Sequence, residues 1–229
     1  MKTTQKTYFT QELFKFFKDL RKHNNREWFQ KNKERYEAVA RRPMLAFIEE
    51  LSPRFRKLSP HFMVNPSPVG GSMFRIYRDV RFSKDKSPYK THASAHFSHH
   101  KTGGHALGFY LHLDPEESFA AACSWHPETE TLYKIRDGIV EFPKEWKSVL
   151  AHCKRYKMEI EGDSLKRPPS GYDPEHLFIE DIRRKDFVVS VSFTQKQICS
   201  AKFMDTFLDA CETMSPLVKF IAKAFDVPY

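Results

Sequence analysis

The segment Phe74-Arg75-Ile76-Tyr77-Arg78-Asp79-Val80-Arg81-Phe82-Ser83-Lys84-Asp85-Lys86-Ser87-Pro88-Tyr89-Lys90 is the densest chemistry in the chain. It carries six Lys/Arg against two carboxylates, Asp79 and Asp85. Guanidinium groups grip carboxylates and phosphates in two-point contacts, which a lysine cannot copy. One carboxylate cannot satisfy three arginines, so two uses stand open. Either Asp79 orients one arginine while the others bind an anion, or the segment is an internal ion-pair network. Read as one regular strand, residues 72–82 put Phe74, Ile76, Val80 and Phe82 on one side. Arg75, Tyr77, Asp79 and Arg81 take the other. Arg78 then falls among apolar residues, where it needs a carboxylate or a bulge that turns it outward.

A second constellation lies downstream. In 105–113, Leu107, Phe109, Leu111 and Leu113 alternate with Ala106, Gly108, Tyr110 and His112. In 118–125, Phe119, Ala121, Cys123 and Trp125 alternate with Ser118, Ala120, Ala122 and Ser124. The bulky sets read as one core face. The small sets read as the other, with Tyr110 and His112 as its large polar members. That face is either a close seat for a helix or the floor of a pocket shared with Arg75, Tyr77 and Arg81. The candidate ligand-binding set is thus Arg75, Tyr77, Arg78, Asp79, Arg81, Lys86, Tyr89, Lys90, Tyr110 and His112. Asp79, Asp85, Tyr89 and His112 could each move protons, but spacing assigns no catalytic residue and no cofactor. No metal site is expected. His92 and His96 stand about 13 Å apart on an extended strand, and His99, His100 and His105 flank a hairpin tip. Neither a metalloprotease, EF-hand or phosphate-loop pattern nor a nucleophile elbow occurs.

These residues need elements to hold them. Apolar spacing predicts helices over 10–22 and 26–41, the second kinking at Pro43 and continuing to 57. Thr10 and Asn24 are the expected helix caps. A loop covers 59–71. Strands follow over 72–82, 91–99, 105–113 and 118–125, with turns at Lys101–Gly104 and Asp114–Glu117. Helices over 128–141 and 143–153 precede a strand at 155–161, a loop at 162–173 and a short helix at 174–184. A strand over 187–193 leads to a last helix over 197–225, interrupted at Pro216. Helices, then strands, then helices make an α+β fold, with a central antiparallel β-meander packed against N- and C-terminal helices. The whole chain, 1–229, reads as one domain: helical over 8–58, sheet over 70–126, helices and returning strands over 127–229.

Composition bounds the function classes. With 40% hydrophobic residues the chain can build a core. With 29% charged residues and no apolar run of about 18, it does not span a membrane. The net charge of +9 is uneven: residues 1–114 hold 22 Lys/Arg against 10 Asp/Glu, and residues 115–229 hold 16 against 19. An anionic partner would dock on the first half. Its helices interleave bases with aromatics (Lys15, Lys18, Arg21, Lys22, Arg26, Trp28, Lys31, Lys33, Arg35, Tyr36), as a nucleic-acid surface or an ordinary amphipathic helix does. The four cysteines lack zinc or redox spacing, and no signal peptide precedes them, which points to the cytoplasm.

The chain resembles the family called DUF2461, a domain of unknown function found in bacteria and within longer fungal proteins. The resemblance rests on Arg75, Arg78, Asp79, Arg81 and Phe82, followed by Lys86, Pro88, Tyr89 and Lys90, with Asn25-Arg26-Glu27-Trp28-Phe29 and Pro43 upstream. It implies a bacterial origin and no particular activity. Three functional readings follow: binding of a small phosphate- or carboxylate-bearing ligand at the arginine motif, a structural or protein-interaction module held by that motif, and a nucleic-acid-associated protein using the basic half.

Overall fold

The computed structural model describes residues 6–102 and 107–229. Gly103 and Gly104 of the expected turn, and His105 and Ala106 at the start of the expected strand over 105–113, lie outside the described residues. The chain opens with α1 (Gln11–Lys22), α2 (Arg26–Lys31), α3 (Lys33–Tyr36), a π-helical turn (Glu37–Arg41) and α4 (Arg42–Leu58). Helical spacing puts Leu13, Phe17 and Leu20 of α1 in the core, with Phe9 and Phe14 buried on either side of Thr10. Thr10 itself makes no side-chain cap bond. Asn25, not Asn24, caps α2, its Oδ1 accepting from the Trp28 amide at 2.9 Å. The expected helix over 26–41 breaks at Asn32, whose Nδ2 donates to the Trp28 carbonyl at 2.9 Å. Pro43 sits in the first turn of α4, where a missing amide costs nothing, and the π-helical turn comes just before it.

Four strands form one antiparallel meander in the order β1 (Ala93–Ser98), β2 (Gly108–Leu113), β3 (Ser118–Ser124) and β4 (Phe187–Phe193). The fold is α+β. Two expected strands are not strands: 72–82 and 155–161 touch the sheet only through single bridges, Met73 to Ala95 and Glu161 to Val188. Alternation alone does not make a strand without a partner of equal length. Residues 75–90 find their partner in themselves: the Arg78 amide donates to the Pro88 carbonyl at 3.0 Å and the Lys90 amide to the Ile76 carbonyl at 2.8 Å. The bridges meet the sheet's two outer edges, one at each side. Phe74 N donates to Ser94 O at 2.9 Å beside β1, and Glu161 N to Val188 O at 2.7 Å beside β4.

The remaining helices are α5 (Thr129–Glu141), α6 (Pro143–Arg155), α7 (Ile179–Ile182), α8 (Gln195–Ile198) and α9 (Phe203–Ala224). The helix expected over 174–184 shrinks to α7. The helix expected over 197–225 splits into α8, opened by a Thr194–Gln197 capping box, and α9, which continues through Pro216. Helix α9 packs on β3 and against α5 and α6. Gly138 of α5 permits this approach, since a Cβ there would stand 2.8 Å from Ala224 Cβ.

The register corrects the expected faces of β3. Leu111 pairs with Ala120 and His112 with Phe119. Ser118, Ala120, Ala122 and Ser124 therefore face the core with Phe109 and Leu111, while Phe119, Ala121 and Cys123 share the other face with Tyr110 and His112. The reason is steric: α9 crosses closest over β3, and only small residues leave room beneath it. One core cluster runs from Tyr8 to Ala222. No described helix is long and apolar enough to cross a membrane.

Candidate functional site: a cavity on the polar face of the sheet

The face of the sheet opposite α9 is hollow. A cavity of about 530 Å³ lies over it, a size that suits a small-molecule ligand. Ser94, Tyr110, His112, Ala121 and Cys123 contribute from the strands, because residues two apart share a face. Aromatic walls come from Phe74, Phe119 and Trp125, and charges from Lys90, Glu117 and Glu161. Gly108 leaves space for a neighbouring ring: a Cβ there would stand 2.5 Å from His96 Nε2.

The floor is a polar cluster. Tyr110 Oη and His112 Nδ1 are 2.9 Å apart. The His112 ring stacks on Phe119 at 4.9 Å and 14°, and its centroid is 4.2 Å from that of His92. Burial, then the neighbouring His112, pushes His92 down to about 4, and burial lowers His112 as well. Both imidazoles are thus held toward their neutral form. Burial raises the Tyr110 phenol and pushes the Cys123 thiol up to about 12, so Cys123 is no thiolate nucleophile.

Lys90 is the telling residue. It is half-buried at the cavity wall, its Nζ 4.8 Å from the centre of the Phe74 ring. Among the described residues it makes no ion pair. Burial lowers its pKa first, and the like charge of Arg75 lowers it further. Arg75 is exposed, also makes no ion pair among the described residues, and is felt electrostatically at Asp79 as well.

The rest of the motif folds on itself outside the cavity. Arg78 pairs with Asp85 and donates to the Ser87 carbonyl at 3.2 Å, which supplies the carboxylate it needed. Arg81 grips Asp79 in a two-point contact, Nε to Oδ1 at 3.0 Å and a terminal nitrogen to Oδ2 at 2.6 Å. Hydrogen bonds from Arg81 hold Asp79 down at about 2, and bonds from Ser87, then Arg78, do the same for Asp85. Lys86 Nζ donates to the Val80 carbonyl at 2.9 Å. Tyr77 is half-exposed above Tyr89. Tyr89 is only 2% exposed and stacks on Phe29 at 4.1 Å. Asn24 clamps its backbone from both sides, Nδ2 donating to Tyr89 O at 2.9 Å and Oδ1 accepting from Tyr89 N at 3.1 Å. The motif and the Asn-rich junction before α2 are therefore one assembly.

Of the ten residues singled out from sequence, the cavity lining gathers Lys90, Tyr110 and His112. Arg75 stands close by. Tyr77, Arg78, Asp79, Arg81, Lys86 and Tyr89 build the adjoining loop. Sequence reasoning did not place Ser94, Phe119, Cys123, Trp125 or Ser190 around a ligand. The four-residue turn at Asp114–Glu117 was the available signal, because its length sets which parity of β3 faces His112.

Two groups of three could hold a metal ion: His61, His99 and His100, and His92, His112 and Asp114. In the first, His99 has spent both nitrogens, Nε2 on the Pro228 carbonyl at 2.8 Å and Nδ1 on the Lys101 amide at 3.2 Å. The second opens on the cavity.

The family model described as "Conserved hypothetical protein (DUF2461)" matches residues 12–220. No curated protein matches the chain. The match takes in the motif loop, the sheet, the cavity and nearly all of the helical frame, and with it the chain belongs to the DUF2461 family.

Proposed function

We propose that this protein is a cytoplasmic, single-domain binder of a small organic anion, bearing phosphate or carboxylate, that enters the sheet-face cavity. The observation that carries this reading is Lys90, a half-buried cation with no carboxylate partner among the described residues and a second cation, Arg75, beside it. A half-buried cation without an ion-pair partner costs free energy that a bound anion returns. Tyr110 and Ser94 add hydrogen-bonding groups, and Phe74, Phe119 and Trp125 suit an apolar or planar portion of the ligand. The loop over 76–89 presents Arg75 and Lys90, with its own arginines neutralised internally. Free thiols at Cys123, Cys153, Cys199 and Cys211 agree with a reducing compartment.

The test is a thermal-shift panel with inorganic phosphate, sugar phosphates, nucleotides and dicarboxylates on the wild type, Lys90→Ala and Arg81→Ala. A ligand at a hundred times its Kd adds about 2.7 kcal/mol, a rise on the order of 5–10 °C at this chain length. The reading expects Lys90→Ala to abolish the rise and Arg81→Ala to keep it. A rise unchanged in Lys90→Ala, or none in the wild type, contradicts it.

One observation favours a nucleic-acid reading. Phe82 is 94% exposed at the loop tip, between Arg81 and Lys84. An exposed ring among cations is how single strands are stacked and held. Oligonucleotide binding that falls steeply with salt and is lost in Phe82→Ala would move the function to the loop.

A further inference from the structure

We propose that His92, His112 and Asp114 form a binding site for a divalent first-row transition-metal ion at one end of the cavity. This goes beyond the anion reading and does not depend on it. The ligand atoms of the three residues all lie within 4.8 Å of one another. Around one ion such atoms stand about 3–3.5 Å apart, given metal–ligand bonds of about 2.1 Å, so the site contracts by no more than about 2 Å. Two imidazoles and one carboxylate are a donor set that suits such ions and leaves coordination positions open. Here those positions face the cavity, since His92 and His112 both line it.

The supporting groups are already placed. Tyr110 Oη lies 2.9 Å from His112 Nδ1. When that nitrogen is the donor, the Nε2 lone pair is free, the arrangement metal-ligating histidines commonly use. Phe119 fixes the plane of the same ring. His92 makes no hydrogen bond among the described residues, so a ring nitrogen is available. Asp114 is held by Arg21, 2.9 Å from Oδ2 and 3.1 Å from Oδ1, and by the Glu116 amide at 2.8 Å from Oδ1. Oδ2 thus keeps a lone pair to offer. Arg21 also pairs with Glu116, so two carboxylates face one guanidinium at the Asp114 end, and Lys90, felt at His92, is the opposing positive charge. The sequence expectation of no metal site weighed distances along one strand. The pairing of Ser94 with His112 brings His92 and His112 together across two strands instead.

The experiment is calorimetric titration of the chelator-treated full-length chain with Zn(II), and with Co(II) followed by visible absorption. The wild type should take up one ion per chain. His92→Gln and His112→Phe should each weaken Zn(II) binding at least tenfold, and His100→Gln should leave it intact. Failure of the anion reading alone would leave the Zn(II) titration standing. No uptake by the wild type, uptake that survives both cavity substitutions, or loss with His100→Gln overturns the site. Should a variant lose its folded circular dichroism, the wild type decides. Co(II) must then shift or broaden the amide signals of residues 92–94 and 111–115 while sparing 61 and 99–100, and the reverse pattern overturns it.

Discussion

On one face of the sheet Phe97, Phe109, Leu111 and Val189 are buried beneath the helices. On the other, Ser94, Tyr110, His112 and Ser190 surround a cavity. Successive residues of the same strands serve both faces, so backbone and hydrogen-bond ladder are common to the two. What differs is what the side chains meet. The core face is filled by α9 and Phe55, whereas the other face keeps polar groups, and a cation without an ion pair among the described residues, around empty space. Folding needs the first arrangement and gains little from the second. Stability should therefore map to one parity of strand residue and ligand response to the other.

The sharpest break of that comparison is a pair of substitutions on adjacent residues of β2. Leu111→Ala removes a fully buried side chain and should cost about 2–5 kcal/mol, read by denaturant unfolding. Tyr110→Phe should cost far less. Equal losses would erase the distinction between faces. Next in size is Asn24→Ala, which removes both clamps on Tyr89 and should cost about 1–3 kcal/mol. Faster hydrogen exchange over 76–90 should accompany it. An unchanged loop would show that Asn24 does not hold the motif.

A pH titration reads the buried histidines together, and a His99 variant isolates the structural one from His92 and His112 of the cavity, which burial also lowers. Burial lowers His99 below its ordinary value of 6.5, against a smaller opposing effect of the Pro228 carbonyl. The unfolded chain then takes up a proton first, so the His99 contribution is present above about pH 6.5 and lost as pH falls below it. Melting temperature should drop on acidification, and His99→Gln should flatten the drop. A slope of opposite sign would contradict the burial account. The smallest effect concerns Cys123: with its thiol pushed up to about 12, iodoacetamide at pH 7 should leave it unmodified in the native chain and label it only after unfolding.

How much of this was legible varied with how locally each feature is decided. The β4 strand stands where its β-branched run put it, and α1 follows its phenylalanine and leucine spacing. The arginine segment looked like a strand because Phe74, Ile76, Val80 and Phe82 alternate, but a hairpin closed by Arg78–Pro88 and Lys90–Ile76 bonds takes those residues instead. The need of Arg78 for a carboxylate was visible, and the identity of that carboxylate, Asp85, was not, since it depends on how the loop turns. The face of Ala120 differs from the expectation because alternation within β3 leaves its parity open, and the register across the Asp114–Glu117 turn sets it. Lys90 could be named from the motif. That it makes no ion pair among the described residues is a fact of three-dimensional assembly.

Backbone amide NMR of the full chain, titrated with phenyl phosphate, tests the central claim most directly, because it separates cavity from loop in one spectrum. The account predicts shifts clustered at residues 90–94, 110–112 and 119–123, absent in Lys90→Ala. Shifts confined to residues 76–89, or to α1 and α2, would place the anion on the motif loop or the basic helices and contradict the cavity as the site.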